Sequence, residues 1–376
     1  MWSPFRKKHL ETVLDSALHA KESLDFHMHK YFKEHHALGS KDRLWIKKGV
    51  YEIMKWKALL DAFKAETVKE LVDLYTGQDC PIGKNNSHLP SHIQVSFPKW
   101  LFKKISDSLG YEKAIDFCKT SNEEAPVTIR INTQKCDKEE FFKLYHEELN
   151  LTQCEFAKYG FHLGKKVRFD LMPDFLKGHF EPQDEGSQMI AEHVNAKPSQ
   201  HILDYCAGSG GKALAFAPFM KGKGQVHLHD IRKKPLIDAK KRLNRAGIQN
   251  IQIYHEEEKR LNSLKGHMDT VLVDAPCSCS GTFRRRPDQK WDLTEDFLKE
   301  VVITQKDILI KAIPFVKQGG LLIYATCSVL KEENEEQTAF LKERKDLTFV
   351  LDHFIPLKQM GSDAMYLSIF KKNSLV

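Results

Sequence analysis

Two cysteines of this 376-residue chain stand where apolar runs give out and polar chain begins. Cys327 closes 320-GLLIYATCS-328, just ahead of the acidic 332-EENEE-336, and Cys277 ends 269-DTVLVDAPC-277. One such cysteine is most often a small buried apolar residue; two at adjacent strand ends read as a pair of reactive thiols. Upstream, 204-DYCAGSGGKALA-215 ends a strand in a turn whose Gly208, Gly210 and Gly211 allow close backbone approach to a ligand. The turn departs from G-x-G-x-x-G. It is not a Walker A loop either, because Cys206 stands where the first Gly belongs and Ala213 replaces the Ser or Thr. Asp230 ends the next strand, where a carboxylate can take the two hydroxyls of a ribose. The two features together predict a nucleoside cofactor, S-adenosylmethionine (SAM) or a dinucleotide, and the glycine spacing favours SAM. The third strand ends in His255 and Glu256, and Glu256 is set either to meet an adenine amino group or to sit solvated in 256-EEE-258.

These positions require a sheet whose strands share one carboxyl edge. From 182-PQDEGSQMIAEHV-194 onward the pattern alternates helix with strand, the strands being 201–206, 225–230, 250–255, 269–276 and 320–328. That alternation predicts an α/β, Rossmann-like, mostly parallel doubly wound sheet over 181–376, with ligands at the carboxyl ends. Residues 97–180 read as a small α/β subdomain containing the strand 127-VTIRIN-132. Polar 77–96, rich in Gly, Pro and Asn, reads as a linker. Residues 1–76 read as an all-helical domain. Leu10, Val13, Leu14, Ala17 and Leu18 recur at helical spacing, as do Ile46, Val50, Ile53 and Met54 after Ser40 as N-cap. Lys47, Lys48, Lys55 and Lys57 are expected on its exposed side.

With 41% hydrophobic and 29% charged residues, the chain has ample core for two or three domains. It shows no apolar run of the ~20 residues that span a bilayer and no secretory signal, so a cytoplasmic location away from membranes is expected. Eight scattered cysteines without a CxxC pair argue for free thiols and against structural zinc; no metal is expected. The formal net charge of +7 suits a polyanionic partner. It is concentrated in 221–245, with nine Lys/Arg against two Asp, and in Arg284, Arg285, Arg286 and Lys290.

The joint pattern of Asp204–Lys212, Asp230, 274-DAPC-277 with 284-RRRPD-288, 326-TCS-328 and 332-EENEE-336 strongly resembles the Sun/Fmu family of RNA 5-methylcytosine methyltransferases. The likeness covers roughly 90–376, including 126-PVTIRINTQK-135 and 183-QDEGSQ-188, and 39-GSKDRLWIKKGVYEIMKW-56 more loosely resembles the NusB-like RNA-binding domain of bacterial ribosomal-RNA members. The resemblance implies Cys327 as nucleophile, Cys277 as the thiol that assists product release, and Asp274 and Lys212 as catalytic partners. It implies a SAM site formed by Cys206, Ala207, Gly208, Ser209, Gly210, Gly211, Lys212, Asp230, Glu256 and Asp274. Cys279 and Ser280 stand where members more often carry Gly and Thr, which predicts either a stiffer loop or an adventitious second thiol. Ala364 and Met365 replace the more usual Gly and Phe. The expected partner is RNA, ribosomal before transfer RNA, and a monomer is the default.

The chemistry needs both thiols. Carbon 5 of cytosine is a poor nucleophile until a thiolate adds to carbon 6; a second group must then assist release. The base must be unpaired or flipped out. A free thiol titrates near ~8.5, and the Arg284–Arg286 run is the expected source of activating charge. The basic stretches are expected to hold phosphates. A DNA cytosine methyltransferase would use the Pro-Cys thiol itself, and an amino-group methyltransferase would carry Asp/Asn-Pro-Pro-aromatic in place of 274-DAPC-277. The remaining alternative is a non-catalytic RNA-binding assembly factor of the same fold, against which the retained Cys327, Cys277, Asp274 and Asp230 speak.

Overall fold

The computed structural model describes residues 2–20, 22–63, 65, 67–255 and 259–374. The chain divides into two compact units, Met1–Glu124 with Thr282–Glu295, and Ala125–Gly281 with Asp296–Val376.

The first unit is helical. Its helices are Pro4–Leu18, Leu24–Glu34, Ser40–Asp61, Val68–Thr76, Ser91–Gln94, Lys99–Leu109 and Tyr111–Ser121, joined by the short Gln289–Asp292 from the later part of the chain. Ser3 caps the first helix by accepting from the Arg6 N–H, and Thr67 with Glu70 forms a capping box on the fourth. The third helix differs from expectation at its start: Gly39 is the N-cap, Ser40 is the first helical residue, and no side chain caps the turn. The apolar stripes meet in one core of Leu10, Val13, Leu14, Ile46, Val50 and Ile53, against which Trp291 packs. The expected boundary at 76 and the linker 77–96 fall inside this unit. Ser96 is buried and its hydroxyl accepts from the Ala58 N–H at 3.0 Å. The helices of 97–121 cluster here too, because Asn122 donates to the Val95 carbonyl and accepts from Lys290 Nζ.

The second unit contains two sheets. The smaller is antiparallel in the order β2-β3-β1-β4, formed by β1 (Val127–Ile131), β2 (Leu151–Gln153), β3 (Gly160–Leu163) and β4 (Phe180–Pro182), with the helix Lys138–Leu149 against it. The larger has seven strands: β5 (His201–Asp204), β6 (Gln225–Asp230), β7 (Ile251–His255), β8 (Met268–Asp274), β9 (Val316–Thr326), β10 (Leu347–Ile355) and β11 (Met365–Lys372). Their order is β10-β11-β9-β8-β5-β6-β7. The five from β9 to β7 are parallel, and β11 and β10 close the edge antiparallel.

Parallel strands buried on both faces read as continuous apolar runs, and alternate residues feed two cores. Ile202, Val226, Leu228, Leu272 and Ile323 pack with Leu214, Leu236 and Leu243 on one face. Leu203, Val271, Val273, Leu322 and Tyr324 pack with Leu309 and Ala312 on the other. Each buried aliphatic side chain contributes roughly 1.5–3 kcal/mol, which fixes where β5, β6, β8 and β9 end. The candidate residues stand at those ends. Among the described residues no helix is long and apolar enough to cross a membrane.

Candidate active site

The turn after β5 lies between the ends of β6 and β8. Gly208 and Gly210 adopt positive φ of 53° and 74°, which a side chain would oppose. A Cβ built on Gly208 or Gly211 would meet nothing within 4 Å, so the turn has open space beside its backbone. Two side chains brace it: Arg242 donates to Ser209 O and Oγ, both at 2.9 Å, and Gln183 donates to Gly211 O at 3.1 Å. The Asp230 carboxylate accepts from the Gly208 N–H at 2.9 Å and from Arg232, whose side chain is 68% exposed. Burial pushes the Asp230 carboxyl up, but Arg232 and the Gly208 amide outweigh it and hold the group below its ordinary range. An ionised acid beside an open glycine turn fits the diol of a nucleoside, so Cys206, Ala207, Gly208, Ser209, Gly210 and Gly211 suit SAM. Glu256 lies outside the described residues.

The two thiols converge. Cys277 Sγ and Cys327 Sγ are 3.3 Å apart, and with Cys279 Sγ the three sulfurs all lie within 4.8 Å of one another. Lys212 reaches from the glycine turn to Asp274 Oδ2 at 2.5 Å. Burial opposes its charge, but Asp274, Cys327 and Asp204 together raise its pKa, so the ammonium stays charged beside the sulfurs. Cys279 is held well below the usual thiol range by hydrogen bonds from Cys277 and Cys327, whereas Cys327 is raised by hydrogen bonding to Cys277 and Cys279 and by burial.

Both cysteine loops are tied to one carboxylate. Glu333 is buried, and its Oε1 accepts from the Ser278 and Ser328 hydroxyls, both at 2.5 Å. Its Oε2 accepts from the Ser278 N–H at 2.8 Å and from Gln305 Nε2 at 2.9 Å. Burial, and then Cys277, push this carboxyl up to about 7. Asn334 accepts from Thr326 Oγ1 and donates to Ser328 O, and the Gly281 N–H donates to Cys327 O. Any Cβ at Gly281 would lie 2.1 Å from Ala364 O, so glycine is required there by contact. Ala364 and Met365 are both buried beside this loop rather than open to a substrate.

Several basic residues differ from expectation. Lys55 and Lys290 are buried in the helical unit: Lys55 donates to Glu123 O, and Lys290 donates to Lys55 O and Asn122 Oδ1. Arg284 is also buried, and Arg286 pairs with Asp288 at 2.8 Å. Arg284 and Lys290 are therefore closed to phosphate, because both side chains are buried away from solvent. A cation that acts on Cys327 is Lys212. In the 221–245 run, Arg242 and Arg245 pair with buried Glu181 and Arg232 with Asp230, while Lys221, Lys223, Lys233, Lys234 and Lys240 stay exposed.

Sequence reasoning missed two acids. Asp204 is buried with Oδ1 unpartnered, and burial with neighbouring Asp274 pushes it up to about 8. Its signal was an Asp ending a strand immediately before the glycine turn. Glu333 lay inside 332-EENEE-336, which entered the family resemblance without a role for any one of its residues.

This architecture, a parallel sheet with a glycine turn, an acid at the next strand end and paired thiols, defines a Rossmann-like methyltransferase class. A family model described as 16S rRNA methyltransferase RsmB/F matches residues 191–370, and one described as the RsmF/B-like ferredoxin-like domain matches 97–170. Ribosomal RNA small subunit methyltransferase B of Proteus mirabilis (strain HI4320) is 30% identical over 348 residues, 86% of this chain and 80% of the relative. The probable ribosomal RNA small subunit methyltransferase B of Bacillus subtilis (strain 168) is 32% identical over 257 residues, 67% of this chain. The human 28S rRNA (cytosine(4447)-C(5))-methyltransferase is 29% identical over 265 residues, 69% of this chain and 33% of the relative. A crystal structure of PH0851 shares the fold, with a TM-score of 0.82 at 22% identity over 99% of both chains. The chain belongs to the 16S rRNA methyltransferase RsmB/F family. It spans 57% of the length of the Bacillus relative.

Proposed function

We propose that this protein is a SAM-dependent cytosine-C5 methyltransferase acting on ribosomal RNA, as a cytoplasmic monomer. The observation that carries the reading is the meeting of Cys277 and Cys327, 50 residues apart in sequence, at 3.3 Å beside the Lys212–Asp274 pair. The names of the relatives support ribosomal RNA and cytosine C5.

Residues 206–212 and Asp230 would hold the cofactor, with the Asp230 carboxylate, now paired with the exposed Arg232, available to accept from the hydroxyls of a ribose. SAM, when bound, supplies an electrophilic methyl group. Cys327 Sγ adds to carbon 6 of an unpaired cytosine, which makes carbon 5 enamine-like and able to accept that methyl. Asp274, oriented by Lys212, hydrogen-bonds N3 and the exocyclic amine and so stabilises the adduct as charge develops. A general base then takes the carbon-5 proton, the carbon 5–carbon 6 double bond re-forms as the carbon 6–sulfur bond breaks, and Cys277 assists departure of the Cys327 thiolate. The exposed lysines of 221–240 hold phosphates without choosing sequence, and the helical unit adds a second RNA contact.

The test is transfer of labelled methyl from SAM to purified ribosomal RNA, with bisulfite mapping of the product. The reading requires label at C5 of cytosine; RNA binding without label would establish an assembly factor instead. Asp230→Ala should weaken SAM binding at least about tenfold, the loss of two hydroxyl hydrogen bonds to a charged acceptor. Unchanged affinity by calorimetry would remove Asp230 from the ribose role.

A further inference from the structure

Cys279 has no part in the reaction proposed above, yet its sulfur lies within 4.8 Å of both sulfurs that do. The backbone at Cys279 is left-handed, φ 56°, where glycine would sit without strain. The loop is nevertheless tightly held. The Ser280 side chain bonds Ser278, Ser328 and the Val329 N–H, and the Gly281 N–H bonds Cys327 O. The strained cysteine is thus fixed facing the reactive pair, and none of the three residues is fully buried.

Three convergent thiols form the donor set of a soft d10 cation. Zinc takes thiolates at about 2.3 Å, which sets the sulfurs of a tetrahedral site about 3.8 Å apart. The 3.3 Å Cys277–Cys327 separation and the 4.8 Å limit of the cluster bracket that spacing. Shifts of a fraction of an ångström would therefore complete the site, leaving a fourth position for water. Each bound thiol gives up its proton to solvent.

We propose that Cys277, Cys279 and Cys327 form a binding site for a thiophilic d10 metal ion such as Zn2+, and that occupancy switches methylation off by engaging both sulfurs the cycle needs. The binding half stands on the sulfur geometry; the inhibition half rests on the methyltransferase reading.

The test starts with Cd2+ titration of the reduced full-length chain, without RNA or SAM, followed by ultraviolet thiolate-to-metal charge transfer, with Zn2+ as competitor. One equivalent is expected to bind. Cys279→Ser should bind at least about 100-fold more weakly, since losing a direct ligand exceeds the 10–100-fold cost of losing an outer partner. Cys279→Gly, which relieves the left-handed backbone, serves as the second variant. In methylation assays Zn2+ should inhibit wild type, a chelator should restore it, and Cys279→Ser should retain methylation that resists Zn2+. The site is overturned if wild type shows no charge-transfer band or if both variants bind as wild type does. Metal binding by a protein that never methylates RNA would support the site and overturn the reaction.

Discussion

Glu333 holds both cysteine loops at once, so a residue outside the proposed reaction fixes the positions of the two thiols assigned to it. Its four accepted hydrogen bonds come from Ser278, Ser328 and Gln305. Glu333→Ala leaves those donors buried and unanswered, at about 1–3 kcal/mol for a stranded group. We expect a loss of about 2–4 kcal/mol in urea unfolding, together with at least a tenfold drop in kcat. Glu333→Gln should be milder, because its amide oxygen still accepts from Ser278 N–H and Gln305 while hydroxyls can accept from its NH2. Equal effects of the two would show that the carboxylate acts by volume alone. The candidate residues that the structure brings together, Cys277, Cys327, Asp274 and Lys212, could be picked out in the sequence because they stand at strand ends and in the glycine turn. Glu333 could not, since a carboxylate in 332-EENEE-336 shows its burial only once the chain is folded. Lys55 and Lys290 were misjudged for the same reason: composition cannot distinguish a solvated lysine from one that caps buried carbonyls.

Among the elements, the parallel strands were the most legible, for a strand covered on both faces must be apolar throughout. β10 was not, because Thr348 to Asp352 are exposed and its apolar residues follow no two-residue period. β6 carries a testable consequence. His227 is buried between Tyr254 and His201, and burial, then His201, depress it to about 4. An unfolded histidine takes its proton near pH ~6.5, so the unfolded chain gains the proton first as pH falls. The contribution of His227 is complete above about 6.5 and is lost progressively toward pH 4. His227→Gln should flatten that part of the stability–pH curve in urea titrations between pH 7 and 5. An unaltered slope would place the acid sensitivity elsewhere.

At the scale of the whole molecule, chain order and compact units do not coincide. Thr282–Glu295 follows the Cys277 loop in sequence but belongs to the helical unit, where Lys290 bonds Lys55 O and Asn122 Oδ1 and lies 4.3 Å from the Phe97 ring centroid. Lys290→Ala should therefore destabilise the helical unit by about 2–4 kcal/mol, through a cavity and two orphaned acceptors, as followed by tryptophan fluorescence, since all five tryptophans belong to this unit. Little change would mean the segment is held by Trp291 alone. No local pattern announces such an insertion, since it depends on contacts 235 residues apart.

The covalent adduct tests the central claim most directly. Cys277→Ala, incubated with ribosomal RNA and SAM, should accumulate a protein–RNA species that survives denaturing electrophoresis, and Cys277→Ala with Cys327→Ala should not. Adduct in the double variant, or wild-type methylation by Cys327→Ala alone, would contradict the account.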